Sequence, residues 1–125
     1  MKRFAFPSIA YPLLAFAALG LAGCRSVAPP TPLSALNAQQ MRGHGVYQAR
    51  CAVCHYDRRN GALHGPSLLG LYKHPALPSG AAATDERVTA TILRGRNNMP
   101  SLAAQLGGAE NQGDLDDLLA YLHTL

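Results

Sequence analysis

Cys51-Ala52-Val53-Cys54-His55 is the stretch that decides how this chain is read. Two thiols three positions apart, with a histidine directly after them, suit a single porphyrin. Each thiol can form a thioether to one vinyl group, and the imidazole then lies under the iron and can bind it. A bare C-x-x-C has two other uses, a redox dithiol and half of a zinc site. The zinc site lacks two further ligands at suitable spacing. The dithiol enzyme wants a βαβ setting, and the strand-like alternation that would support one is missing. The motif therefore points to one covalent haem c, held through Cys51 and Cys54 with His55 on the iron.

Upstream of the motif, Lys2 and Arg3 precede an apolar run from Phe4 to Ala22, interrupted by Pro7 and Pro12. That is the charged region and apolar region of a secretory signal. A transmembrane anchor is the rival, since the run is nearly long enough to span a bilayer. The two prolines and the residues at the end of the run argue against it. Leu21-Ala22-Gly23-Cys24 resembles the bacterial lipoprotein cleavage box, in which the cysteine is lipidated and becomes the first residue. The alternative is an ordinary cleavage site that leaves Cys24 as an odd free thiol, a liability in an oxidising compartment. Lipidation gives each of the three cysteines a use and leaves none for a disulfide.

The expected organisation is a lipoprotein signal peptide over 1–23, a lipidated N-terminus and flexible tether over 24–36, and a folded domain over 37–125. The tether reading rests on the small, proline-containing and aperiodic run from Arg25 to Leu36; the alternative is that part of it packs on the domain as an ordered arm. Cleavage before Cys24 takes 23 of the 125 residues and two of the 11 basic ones, leaving nine basic against seven acidic. Two haem propionates and the C-terminal carboxylate bring that balance close to zero. The whole-chain pI of 9.3 is therefore no argument for nucleic-acid binding.

Within the domain, Asn37 is placed to cap a first helix running up to the two cysteines, weakened by Gly43 and Gly45 at about 1 kcal/mol each. From Tyr56 to Gly80 the chain is rich in Gly, Pro, His and Asn and reads as loop, with a short helix at Ser67–Leu71. Thr84, Asp85 and Glu86 form a cap and acidic first turn, followed by an apolar face at Val88 and Ile92 that stops before Gly95. Leu115, Leu118, Leu119, Leu122 and Leu125 have helical spacing behind Asn111 and Asp114. No stretch reads as a strand.

Residues 41–125 resemble a class I cytochrome c. Four features carry the resemblance in the family's order. Gly43 and Tyr47 stand eight and four residues before Cys51, and Gly65-Pro66-Ser67-Leu68 follows the haem motif. Met99-Pro100 comes 44 residues after His55, and Leu118 and Tyr121 take the leucine and aromatic places of the final helix. The resemblance implies an all-α cytochrome c fold, with three to four helices and long loops wrapped around one covalently attached haem. It implies that Gly43 and Tyr47 meet Leu118 and Tyr121 where the first and last helices cross, with the aromatic rings covering the haem edge.

The same resemblance implies that the Pro66 carbonyl accepts from the second ring nitrogen of His55, fixing its tautomer. It also makes Met99 the distal iron ligand. Of the other methionines, Met1 leaves with the signal and Met41 lies upstream on the haem-bearing helix. His44, His64, His74 and His123 remain as alternative ligands and are expected in solvent-facing or loop roles. Leu68, Leu71, Ile92 and Leu93 are candidates for the pocket wall, and Arg94, Arg96, Asn97 and Asn98 for the propionates. The family's eukaryotic members dock through a lysine ring. This chain has Lys73 alone after cleavage, so docking falls to an apolar patch or to arginines such as Arg58 and Arg59.

A thioether ligand raises the potential relative to a second imidazole, and a filled iron site has no place for substrate. The expected role is therefore a monohaem electron carrier rather than an enzyme, either a free shuttle or the cytochrome subunit of a dehydrogenase. Its expected partners are a redox protein donor and acceptor and, through Cys24, the membrane. Its expected location is extracytoplasmic, in a periplasm, with Arg25 after Cys24 resembling lipoproteins sent to an outer membrane. The alternative is a haem-based small-ligand sensor or peroxidase-like protein, which requires Met99 to leave the iron. A loop-rich unit of fewer than ninety residues buries little core on its own. The haem-free polypeptide is thus expected to be largely unfolded; a cooperative thermal transition in its circular dichroism would contradict this.

Overall fold

The computed structural model describes residues 27–125, so the expected signal peptide over 1–23 and Cys24 lie outside the described residues. Four α-helices, and no β-strand among those residues, make an all-α fold: α1 (Ala38–Arg50), α2 (Asp85–Arg94), α3 (Ala103–Leu106) and α4 (Gln112–Leu122). Short 3-10 turns occupy Leu33–Ala35 and Ala109–Asn111. None of these helices is long and apolar enough to cross a membrane.

Helix α1 begins with a reciprocal cap. The Asn37 side chain accepts from the Gln40 N–H at 2.8 Å, and the Gln40 side chain accepts from the Asn37 N–H at 3.0 Å. Gly43 and Tyr47, four residues apart, form its buried stripe. They face α4, whose Leu115, Leu118, Tyr121 and Leu122 are buried. At the crossing Gly43 has no room for a side chain. A Cβ there would run into the backbone carbonyl of Asp117 and come within 2.9 Å of the Tyr121 Cβ. Beside this contact Arg42 forks onto Asp117, Nε to Oδ2 at 2.6 Å and a terminal nitrogen to Oδ1 at 3.1 Å. The Arg42 hydrogen bond holds the Asp117 carboxyl below the usual carboxylate range. With the Arg42 side chain 63% exposed, the pair sets helix rotation more than it adds stability.

Helix α2 is capped by the Thr84 hydroxyl, which accepts from the Arg87 N–H at 3.4 Å. It buries Val88 and Ile92. Gly95 ends it at φ 75°, a conformation that costs glycine nothing. The chain then doubles back along the helix: Ser101 donates to the Leu93 carbonyl at 2.5 Å and the Leu102 N–H to the Ile92 carbonyl at 3.1 Å. Helix α3 and the turn after it lead into α4 and were not expected from the sequence, where Leu106 is their single buried side chain.

Two local expectations are corrected. Ser67–Leu71 is a series of turns rather than a helix, because Gly70 takes φ 69°, outside the right-handed helical region. The tether expected over 24–36 is shortened by an arm laid on the domain. The Thr31 N–H donates to the Thr124 carbonyl at 2.8 Å, Arg58 donates to the Thr31 carbonyl, and Val27 sits against Gly70. Arg58 is thereby turned inward, while Arg59 lies 3.6 Å over the Tyr56 ring.

The two glycines of α1 should respond oppositely to alanine. Gly43→Ala forces the α1–α4 crossing apart and is expected to cost at least about 2 kcal/mol. Gly45 has open space around its Cβ position, so Gly45→Ala is expected to gain roughly 0.5–1 kcal/mol. Denaturant unfolding of the holoprotein measures both; equal effects would refute the close crossing.

Candidate functional site: a haem-sized apolar cavity

Helix α1 does not stop cleanly at Arg50. The Ala52 N–H donates to the Tyr47 carbonyl at 3.0 Å, and the N–H groups of Cys54 and His55 both reach the Cys51 carbonyl, at 3.0 and 2.9 Å. This extra turn brings both thiols and the imidazole to one end of the helix, where all three line a cavity of about 700 Å³. That volume lies within the roughly 300–1,000 Å³ of pockets that hold cofactor-sized molecules.

The loop after the motif folds back on it through its own backbone. The Gly65 N–H donates to the Cys54 carbonyl at 2.8 Å, and the Leu68 N–H to the Tyr56 carbonyl at 2.7 Å. Ser67 fastens the loop's far side, its hydroxyl donating to the Arg59 carbonyl at 2.7 Å. Between these ties the Pro66 carbonyl lies 2.7 Å from His55 Nδ1. A carbonyl can only accept, so Nδ1 carries the proton and Nε2 keeps its lone pair free. Gly65 lies flat against the ring. A Cβ there would sit 2.7 Å from Nδ1 and 2.8 Å from Nε2, so only glycine fits.

A second wall comes from α2 and the turn after it. Val88, Thr91 and Ile92 face the cavity, followed by Arg96, Asn97, Asn98, Met99 and Pro100. Arg96 and Met99 exchange both backbone hydrogen bonds, at 3.0 and 2.9 Å, which closes a tight turn with Asn97 at φ 52°. Asparagine tolerates that left-handed conformation better than most residues. Leu118 and Leu122 of α4 complete the apolar surface with Leu68, Leu71 and Leu77.

The cavity is lined by Cys51, Cys54, His55, Pro66, Leu68, Ile92 and Met99, among others. Leu93 and Arg94 do not line it. Val88, Thr91, Leu118 and Leu122 do and were not anticipated, although the i, i+4 spacing of the two leucines was visible and was assigned to helix packing alone. Among the four alternative histidines only His64 lines the cavity. His44 lies over Tyr121 with ring centroids 5.1 Å apart, His74 is 3.2 Å from the Leu69 carbonyl, and His123 stacks on Tyr72 at 3.8 Å while contacting Asp85 at 2.8 Å.

The aromatic pair has a different place from the one expected. Tyr47 and Tyr121 pack with centroids 5.8 Å apart and neither lines the cavity. Instead Tyr47 donates to the His55 carbonyl and Tyr121 to an Asp57 oxygen, each at 2.5 Å. Burial pushes the Tyr47 phenol up to about 12 and moves the Tyr121 phenol the same way, so both remain donors at neutral pH. They fix the haem-motif turn from behind.

Burial, with Cys54 adding to it, pushes the Cys51 thiol up to about 11. A dithiol enzyme needs the opposite, a thiol acidic enough to attack as thiolate. Among the described residues no three His, Cys, Asp or Glu side chains are grouped as a metal site. What remains is a set of two thiols, an imidazole with one free lone pair and a thioether around an apolar cavity, a donor set that fits a covalently held haem.

The family model described as "Cytochrome C oxidase, cbb3-type, subunit III" matches residues 38–122. The chain belongs to this family. No curated protein and no solved structure matches it. As a member of the cbb3-type subunit III family it is a c-type cytochrome domain with the family's all-α fold, and its chemistry is haem-based electron transfer. Covalent haem c is the family's cofactor, and Cys51 and Cys54 are the cysteines of the matched region.

Gly65→Ala tests the seat of the imidazole. The added methyl displaces the His55 ring from the Pro66 carbonyl, and the holoprotein is expected to lose about 2 kcal/mol of stability and part of its low-spin spectrum. An unchanged spectrum with wild-type stability would refute the packing of Gly65 on His55.

Proposed function

We propose that this protein is a monohaem electron carrier, anchored to the bacterial membrane through lipid on Cys24. It would pass single electrons between redox proteins outside the cytoplasm. One observation carries the haem-site reading: His55 and Met99, held by separate elements, line the same apolar cavity as the two thiols. When bound, haem supplies a one-electron couple at its iron. Cys51 and Cys54 would hold it covalently, and His55 offers Nε2 because Pro66 holds Nδ1–H. Met99, kept in position by its backbone bonds to Arg96, would offer its thioether sulfur to the iron. The apolar walls exclude water, so little solvent has to reorganise as charge changes. Arg96, Asn97 and Asn98 at the cavity wall are placed to take the propionates.

The membrane part of the proposal rests on the lipoprotein-like box at Leu21–Cys24. Two or more acyl chains meet the requirement for lasting attachment. The family's printed description names an oxidase subunit, which fits an electron-transfer partner at a membrane. A small, weak docking contact suits a shuttle that must release quickly.

Carbon monoxide distinguishes a closed site from an open one. The ferrous holoprotein is expected to ignore CO and to be low-spin in both oxidation states, while Met99→Ala is expected to bind CO readily. Ready CO binding by the unaltered protein would reject the His55/Met99 site and make the protein a haem-based ligand binder.

A further inference from the structure

Beside the haem cavity lies a second hollow of about 450 Å³, which shares Leu77, Ser79, Thr91 and Arg96 with it. Three arginines line it: Arg87 and Arg94 from α2, and Arg96 just beyond the helix. On α2 the positions Arg87, Thr91 and Arg94 follow i, i+4 and i+7, which puts them on one face. Facing them is a self-bonded turn, in which the Leu77 N–H donates to the Ala81 carbonyl at 2.8 Å and the Gly80 N–H to the Leu77 carbonyl at 2.8 Å.

No carboxylate lines this hollow. Among the described residues the salt bridges are Arg42 with Asp117 and His123 with Asp85, so none of the three guanidiniums is in a salt bridge with a carboxylate of the chain. Glu86 lies near enough to feel the charge of Arg87, and Arg96 also faces the haem cavity, which leaves Arg94 the least engaged of the three. Arg87 is held at the rim by donating to the Ala82 carbonyl at 3.2 Å. Arg87 and Arg94 are exposed on one face of α2, with Arg96 at its edge, and an anion between them relieves what repulsion the solvent leaves. Guanidinium groups present paired N–H donors that match the oxygens of a phosphate or carboxylate and are wasted on a halide.

We propose that this hollow is a binding site for a multivalent oxyanion of the phosphate class, distinct from the haem pocket. The wall it shares with the haem cavity gives the site a consequence, which rests on the electron-carrier reading. An anion held against the wall of the haem cavity would favour the more positive, oxidised form of a haem bound there, so its binding would lower the midpoint potential. The anion also sits against Gly95 and Arg96, the start of the turn that carries Met99.

Calorimetry of the holoprotein with inorganic pyrophosphate, at constant ionic strength set with potassium chloride, tests the site. Saturable binding with one pyrophosphate per chain is expected, with a dissociation constant below about 1 mM. Arg94→Gln, which removes a residue lining this hollow alone, is expected to weaken it about tenfold, while Arg50→Gln on α1 leaves it unchanged. Heats no larger than those of chloride, or equal weakening by both variants, would overturn the site. The midpoint potential, followed in parallel, is expected to fall saturably with pyrophosphate in the unaltered protein and hardly at all in Arg94→Gln. Absent pyrophosphate heats in a protein that still cycles reversibly and ignores CO refute the anion site alone. Saturable binding in a protein that takes up CO refutes the closed-site carrier alone.

Discussion

The domain depends on the contact between Gly43 and the backbone of Asp117. Because no side chain intervenes, α1 and α4 approach until glycine meets a carbonyl, with Tyr47 and Tyr121 packed at a tilt beside them. That closeness decides where the end of α1 goes. The turn carrying Cys51, Cys54 and His55 emerges next to Leu118 and Leu122, and those leucines become cavity wall as well as helix packing. The two tyrosines then reach past the crossing to hold the His55 carbonyl and Asp57. The helix crossing thus positions the thiols and the imidazole of the motif.

Regular structure accounts for little of the region between α1 and α2. The loop over 56–80 holds its shape by individual polar bonds, each pinning one point of the path: Gly65 to Cys54, Leu68 to Tyr56, Ser67 to Arg59. A single such bond contributes only about 1 kcal/mol net. What makes them effective is that they converge on one outcome, the placing of the Pro66 carbonyl under the imidazole.

Features encoded over a few adjacent residues were legible in the sequence. The haem motif, the Asn37 and Thr84 caps, the Gly95 stop and the leucine spacing of α4 each depend on neighbours in the chain, and each can be read without knowing the fold. Met99 and Pro66 were legible only through resemblance, since an isolated methionine or a Gly-Pro pair has commoner uses. What escaped depends on contacts between distant residues. Thr31 bonds to Thr124 and Arg58 turns back to Thr31, so composition alone does not decide between a free tether and an ordered arm. The tyrosines were correctly paired across the helices, but the direction of their hydroxyls follows from a loop whose path the sequence does not state. At Gly70 the residue type allows a positive φ without requiring one, so the sequence does not exclude a helix there.

The place of α4 after α1 in the chain orders events in time. The haem cysteines at the end of α1 are made before the helix that packs beside them. Any chain delivered from its N-terminus onward therefore displays both thiols while their cover does not yet exist. Closing the crossing joins Gly43 to Asp117 across a long stretch of chain, an entropic cost that delays it further. Late closure leaves an interval in which a maturation enzyme can reach both cysteines on an open chain, before the crossing buries them behind their own cofactor.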